Sequence, residues 1–260
     1  MLLAIDIGNS NIHIGLFKNN MLVYTFNIGT NTARSTDEYG LTLRLLLQSS
    51  GYSIDEIEST IIGSVVPSVA GKIEGAVKKI IKTSIMLVGP GIKTGFSIKL
   101  DDPSQLGADL ASNTAGAIAK VKYPAIVVDL GTATTVSAID KDKSYVGCYI
   151  MPGIQMGLDA LHKAELLPQV FADSAVPMLG KNSIDSMRAG VAFGTVMACE
   201  GFIDAYKREL DLPKDTPIVV TGGYAKDLIS YFVESVVYEP DLTLIGLNVI
   251  YNTNVQKKKR

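Results

Sequence analysis

At 260 residues with 47% hydrophobic and 19% charged content, the chain is long enough to bury a full core and suits one large domain or two small ones. A formal net charge of -2, with the one Lys/Arg cluster confined to 257–260, argues against nucleic acid as a partner, because that binding rests on clustered basic residues neutralising phosphates. Two cysteines without C-x-x-C spacing, Cys148 and Cys199, support neither a disulfide framework nor a zinc site.

The chain opens on an apolar strand, Ala4-Ile5-Asp6-Ile7, that meets Asp6 almost at once and lacks a basic leader, so it reads as a strand and not a signal peptide. A turn at Gly8 to Asn11 leads into a second β-branched strand through Phe17, a polar tip at Lys18 to Asn20, and a third strand over 22–28. Ser35-Thr36-Asp37-Glu38 has capping-box spacing, and the leucines that follow fill a helix ending at Gly51. Ser53 to Glu56 repeats that signal for a shorter helix. A buried strand over 60–66 ends at Pro67. A helix capped at Ser68 then carries Val69, Ile73, Val77 and Ile80, and 85–88 is a further strand. Strands and helices alternate, so a parallel sheet with helical cover is the expected class. Residues 105–117 form a small-residue helix whose exceptional member is Asp109.

A strand over 127–130 starts the second half. Asp140 to Lys143 is a hairpin tip and 145–150 a return strand. A helix begins at Met151-Pro152-Gly153 and runs through Leu161 towards Leu166; a long one spans 184–210 with a small face at Gly190, Gly194, Ala198 and Gly201. Residues 217–221 form a strand running into Gly222-Gly223, followed by helix, strand and helix. The longest charge-free run near the middle, 144–158, is broken by Gly147, Pro152, Gly153 and Gly157, so no membrane span is expected, and a cytoplasmic protein is.

The two halves share a design. Asp6-Ile7-Gly8 and Asp129-Leu130-Gly131 each deliver a carboxylate to a glycine turn between two apolar strands, followed by hydroxyl or amide residues. Either copy alone is an ordinary β-turn; repeated, the pair suits phosphate, since glycine lets successive N–H groups approach an anion while Asn9, Ser10, Thr132 and Thr134 add donors. The aspartates would repel a phosphate at contact distance and so need a cation between. Gly180-Lys181-Asn182-Ser183 is no P-loop, because the earlier glycine is missing.

These strand, Asp-x-Gly turn, strand units, with a third turn at Thr221-Gly222-Gly223, resemble the two phosphate motifs and the adenosine motif of the superfamily containing sugar kinases, actin and Hsp70. Within it, Asp6 to Asn11, Gly107-Ala108-Asp109, Asp129 to Ala133 and Pro152-Gly153 followed by Leu158 to Leu161 are similar to type III pantothenate kinases. The resemblance implies an α/β fold of two tandem RNase H-like domains, 1–116 and 117–260, each a mixed sheet with helices, with a cleft between them. It also implies ATP-dependent phosphorylation of pantothenate, the first step of coenzyme A synthesis, by a homodimer. Asp6, Ile7, Gly8, Asn9, Ser10, Asn11, Ile12 and His13 would form the first ATP-binding loop, with Asp6 holding Mg²⁺ through water; Gly131 and Thr132 would also contact ATP. Asp129 would bind a monovalent cation, K⁺ or NH₄⁺. Asp109 would be the general base, and Gly107, Ala108, Asp109, Leu110 and Ser183 would contact the acceptor.

Three positions depart from the family pattern, all on the acceptor side. Leu110 stands where an arginine is usual, Leu100 where a tyrosine is, and Ser183 where a threonine is. Losing a potentially bidentate carboxylate contact leaves two alternatives open: a same-fold kinase for a different small alcohol, or a nucleotide-binding regulatory paralogue without turnover.

Overall fold

A computed structural model describes residues 1–173 and 176–255; the basic cluster at 257–260 lies outside the described residues. In chain order the elements are β1 (Leu2–Ile7), β2 (Asn11–Lys18), β3 (Met21–Gly29), α1 (Thr36–Ser49), β4 (Ser59–Ser64), α2 (Pro67–Ile80), β5 (Ser84–Leu87), β6 (Ser97–Ile98), α3 (Ala108–Lys120), β7 (Ala125–Leu130), β8 (Ala133–Ile139), β9 (Ser144–Pro152), α4 (Ile154–His162), α5 (Ser183–Glu209), β10 (Ile218–Thr221), α6 (Ala225–Leu228), β11 (Val237–Tyr238) and α7 (Leu242–Val255). They form two compact units. One comprises Met1–Phe96, Asp101–Ala119 and the chain from Leu242 onward; the other comprises Ser97–Leu100 and Lys120–Asp241.

The first unit holds a sheet ordered β3-β2-β1-β4-β5, with β1 antiparallel to β2 and parallel to β4. Because side chains alternate along a strand, β1 feeds two cores. Leu3, Ile5 and Ile7 pack with Tyr39, Leu43 and Leu47 of α1 and with Val69, Ile73 and Val77 of α2. Leu2 and Ala4 pack on the other face with Ala115 of α3 and with Leu244, Leu247 and Ile250 of α7. A strand buried on both sides needs an almost continuous apolar run, as Leu2–Ile7 supplies.

In the second unit the sheet is ordered β11-β10-β7-β8-β9-β6. Apart from β6, it repeats the first strand for strand, with β7 antiparallel to β8 and parallel to β10. The duplication read from two short motifs is therefore a duplication of whole sheets. Ile126, Val128 and Leu130 face α4 and α5, packing with Leu158, Val196 and Ile203. The extra strand β6 joins β9 in parallel, anchored by Lys99 N–H on Tyr145 C=O at 2.8 Å and by Lys99 Nζ on Asp140 at 2.6 Å.

Local signals explain most of the boundaries. The Ser35/Glu38 capping box forms as expected at the head of α1. The second such signal, at Ser53, yields one turn of 3-10 helix, Ile54–Glu56. The α2 cap is not Ser68: the N-cap is Val66 without a side-chain hydrogen bond, and Pro67, pre-set in φ, starts the helix. Helix α4 stops at His162 instead of running on to Leu166, which is 93% exposed and gives no buried face to extend.

The chain does not divide at 116/117. Helix α7 is apolar nearly all round, and it buries Leu244, Leu247 and Ile250 against β1, β4 and α3 of the first unit, whereas Ser97–Leu100 pairs with β9 of the second. Its docking relies on absent side chains. A Cβ on Gly246 would run into the Ser112 carbonyl of α3, and one on Gly116 into the Leu242 carbonyl. Gly246→Val is expected to lower stability by ~3 kcal/mol in urea unfolding, because backbone cannot yield as a side chain can. Gly71→Ala, in α2 with nothing within 4 Å of the new methyl, is expected to raise it by ~0.5 kcal/mol.

Candidate active site

β1 ends by delivering Asp6 to a hairpin turn. Asp6 pairs with His13 on β2 and Gly63 on β4, so the three share the face covered by α3 and α7. Ile7 and Ile12 are fully buried on the opposite face and hold the base of the turn. The turn closes through Gly8 N–H donating to Asn11 C=O at 2.9 Å. Asn9, Ser10 and Asn11 are exposed at its tip, while His13 is half-buried. A donor-rich, uncharged tip beside a single carboxylate is the arrangement expected of a phosphate loop that works with a cation.

Asp109 lies in the first turn of α3, where the helix N-terminus favours a carboxylate. Its Oδ1 accepts the Leu110 N–H at 2.8 Å. It also sits where a side chain on Gly107 would be: a Cβ there would lie 2.5 Å from Oδ1, so glycine at 107 lets the carboxylate fold back over the chain. Ala108 is buried and Leu110 half-buried. Gly63 brings this segment to Asp6. A Cβ on Gly63 would lie 3.8 Å from Asp6 Oδ1 and 3.7 Å from the Ala108 Cβ, so the first unit gathers Asp6 and the head of α3 around one bare strand position.

The second unit builds its own oxygen-rich corner. Alternation along β7 puts Asp129 on the sheet face opposite α4 and α5. Two glycines crowd round it, and a third packs on the turn that follows. A Cβ on Gly222, which has φ +101°, would lie 2.6 Å from Asp129 Oδ1; one on Gly131 would lie 3.2 Å from the same oxygen; and Gly153 abuts the Gly131 and Thr132 carbonyls, its N–H donating to Thr132 C=O at 3.1 Å. Thr132 is exposed at the turn. Ser183 is the first residue of α5, exposed beside the capping Asn182 side chain, and Leu100 follows β6, half-buried.

Metal fit can be tested on the donors. Among the described residues no group of three His, Cys, Asp or Glu side chains could hold an ion. Mg²⁺ needs only one or two carboxylates beside water and phosphate oxygens, which Asp6 fits. Asp129 is a hard oxygen donor, the ligand type that an alkali cation takes. A cavity lined by Ile154, Leu158, Arg188, Ala192, Tyr224 and Asp227 holds about 20 Å³, room for roughly one water, and is no nucleotide site.

Sequence reasoning missed Gly63 and Thr30. Gly63 carried a usable signal, an isolated glycine inside a strand marking close backbone approach. Thr30, whose Oγ1 donates to Gly8 C=O at 2.7 Å, carried none, because only the fold brings it to the loop.

The comparisons with known proteins bear on the family and the fold. The profile of the type III pantothenate kinase family matches residues 2–205. The type III pantothenate kinase of Halalkalibacterium halodurans is 39% identical over 98% of this chain and 100% of its own length. Among solved structures, component A of the (R)-2-hydroxyglutaryl-CoA dehydratase of Acidaminococcus fermentans aligns with a TM-score of 0.58 at 14% identity, covering 100% of this chain and 99% of its own. A chain assigned as a 2-dehydro-3-deoxygalactonokinase from Sinorhizobium meliloti aligns with 0.57 at 13%, covering 98% and 99%. These two carry the fold, which is that of the actin, Hsp70 and sugar kinase superfamily. A family match over most of the chain, together with a full-length relative at this identity, means that the chain belongs to the type III pantothenate kinase family.

Proposed function

We propose that this chain transfers the γ-phosphoryl group of ATP to the primary hydroxyl of pantothenate, the first step of coenzyme A synthesis. The observation that carries the reading is the meeting, at Gly63, of Asp6 with the head of α3, whose first turn holds Asp109, in a chain whose family is named for this reaction. Phosphoryl transfer asks for positioning and charge neutralisation more than covalent chemistry, and these residues supply both. Bound Mg²⁺ would neutralise phosphate charge, with Asp6 holding it through water. The N–H groups and side chains of Asn9, Ser10 and Asn11 bind phosphate oxygens. Gly131 and Thr132 contact ATP, and Asp129 would hold a monovalent cation, K⁺ or NH₄⁺. Asp109, fixed by the Leu110 N–H, accepts the proton of the acceptor hydroxyl as it attacks.

Leu110 does not undermine this assignment. What position 110 gives Asp109 is a backbone N–H, which any residue but proline provides, so the base is held without the usual arginine. What is lost is a charged contact to the acceptor's carboxylate. The extent of the relationship to a pantothenate kinase favours pantothenate over another alcohol and over a regulatory role.

The same reading includes a homodimer in the cytoplasm. Helix α5 presents Gly190, Gly194, Met197 and Gly201 as one exposed stripe, the glycines with nothing within 4 Å, and Met156, Phe171 and Leu179 add further exposed apolar area in this unit. A bare stripe of this kind allows a helix from a second copy to approach closely.

Three outcomes follow. Asp109→Asn is expected to lower kcat at least about 100-fold in an ADP-release assay while leaving ATP affinity unchanged, since general-base catalysis is worth about that factor. Leu110→Arg is expected to lower the KM for pantothenate about tenfold with little change in kcat, as a uniform binding contact does, and to leave turnover of pantothenol, which has no carboxylate, unaltered. Met197→Glu is expected to shift the protein from dimer to monomer in sedimentation.

A further inference from the structure

We propose that Thr30 is a positioning residue for the first phosphate loop, aiming its backbone donors at the nucleotide; this rests on the kinase reading above. Thr30 lies just past β3, outside every motif, yet it makes two hydrogen bonds to the loop. Its Oγ1 donates to Gly8 C=O at 2.7 Å, and its N–H donates to Ser10 C=O at 2.9 Å. In a planar trans peptide the C=O and the following N–H point in opposite directions. Fixing the Gly8 and Ser10 carbonyls towards Thr30 therefore turns the Asn9 and Asn11 N–H groups to the other side, the one available to a phosphate. The Gly8 carbonyl accepts from the Thr30 hydroxyl, so Thr30 sets the plane of the peptide that carries the Asn9 N–H. Both donors belong to an uncharged loop, so their direction, and not a formal charge, decides how well they bind.

Thr30 is itself held in place. Asn31 donates its N–H to the Tyr39 hydroxyl at 3.0 Å and accepts from it at 2.9 Å, and Tyr39 is fully buried in α1. Lys72 of α2 donates to Thr32 C=O at 2.7 Å, and the Arg34 guanidinium lies 5.8 Å from the Tyr39 ring centroid. The segment after β3 is thus pinned at several points to the two helices behind the sheet. A rigid clamp aligns donors before the ligand arrives, which is how preorganisation raises affinity.

The test is calorimetric titration of Mg·ATP into the wild-type chain, Thr30→Val and Thr30→Ser, with KM values and thermal midpoints measured alongside. Valine keeps the shape and removes the hydroxyl; serine keeps the hydroxyl. Thr30→Val is expected to weaken ATP binding and raise the KM for ATP about tenfold, the equivalent of one well-placed hydrogen bond, with the KM for pantothenate and the thermal midpoint unchanged. Thr30→Ser is expected to restore ATP affinity to within about twofold of wild type. ATP affinity unaffected by valine, equal loss in serine and valine, or a parallel loss of thermal stability and both KM values would each overturn the proposal. The titration needs no acceptor, so a chain that binds ATP through Thr30 yet never phosphorylates pantothenate would sink the functional reading and leave this one standing.

Discussion

A carboxylate at the end of a central, doubly buried strand is the constraint on which the rest depends. β1 lies between an antiparallel neighbour and a parallel one, so its register is fixed on both sides, and side-chain alternation then leaves no choice about where residue 6 points. Leu3, Ile5 and Ile7 belong to the core under α1 and α2, which commits Asp6 to the face of α3 and α7, where Asp109 waits at the head of α3. A one-residue slip would turn Asp6 into the isoleucines and leucines under α1 and α2 and turn Ile7 out of that core. β7 obeys the same rule: Ile126, Val128 and Leu130 face α4 and α5, and Asp129 faces away from them. The placing of both carboxylates is thus a by-product of a hydrophobic register.

Glycine does the complementary work. At Gly107, Gly222 and Gly131 the bare backbone makes room for a carboxylate oxygen, and at Gly63 for the meeting of Asp6 with α3. Glycine loses more conformational freedom on folding than other residues, a cost that the large apolar cores offset. The charge distribution is equally spare. The first loop carries no lysine or arginine between Asp6 and His13, so what it offers an anion is dipoles and not formal charge.

Much of this was legible in the chain. The repeated Asp-x-Gly turns implied two equivalent halves, and the sheets agree in order and direction through five strands. Capping at Ser35 and the long apolar runs of β1 and β7 fixed their elements, because those signals are local. What resisted reading was long-range. Nothing in Leu242–Val255 says that it returns to the first sheet, since an all-round apolar helix fits either core. Ser97–Ile98 is too short to show strand periodicity and is a strand only because β9 offers an edge. Leu166 looked like the next turn of α4 but is exposed, since apolar residues mark interfaces as well as cores. Thr30 is an unremarked threonine in a connecting segment, and its two bonds to the phosphate loop exist only once β2 and β3 have paired.

Transfer of the γ-³²P label of ATP to pantothenate by the purified chain, with Mg²⁺ and K⁺ present, tests the central claim most directly. The account predicts label in a single phosphomonoester on the primary hydroxyl, formed only when pantothenate is added. Label appearing as inorganic phosphate at the same rate with or without pantothenate, or ATP bound and never consumed, would contradict it.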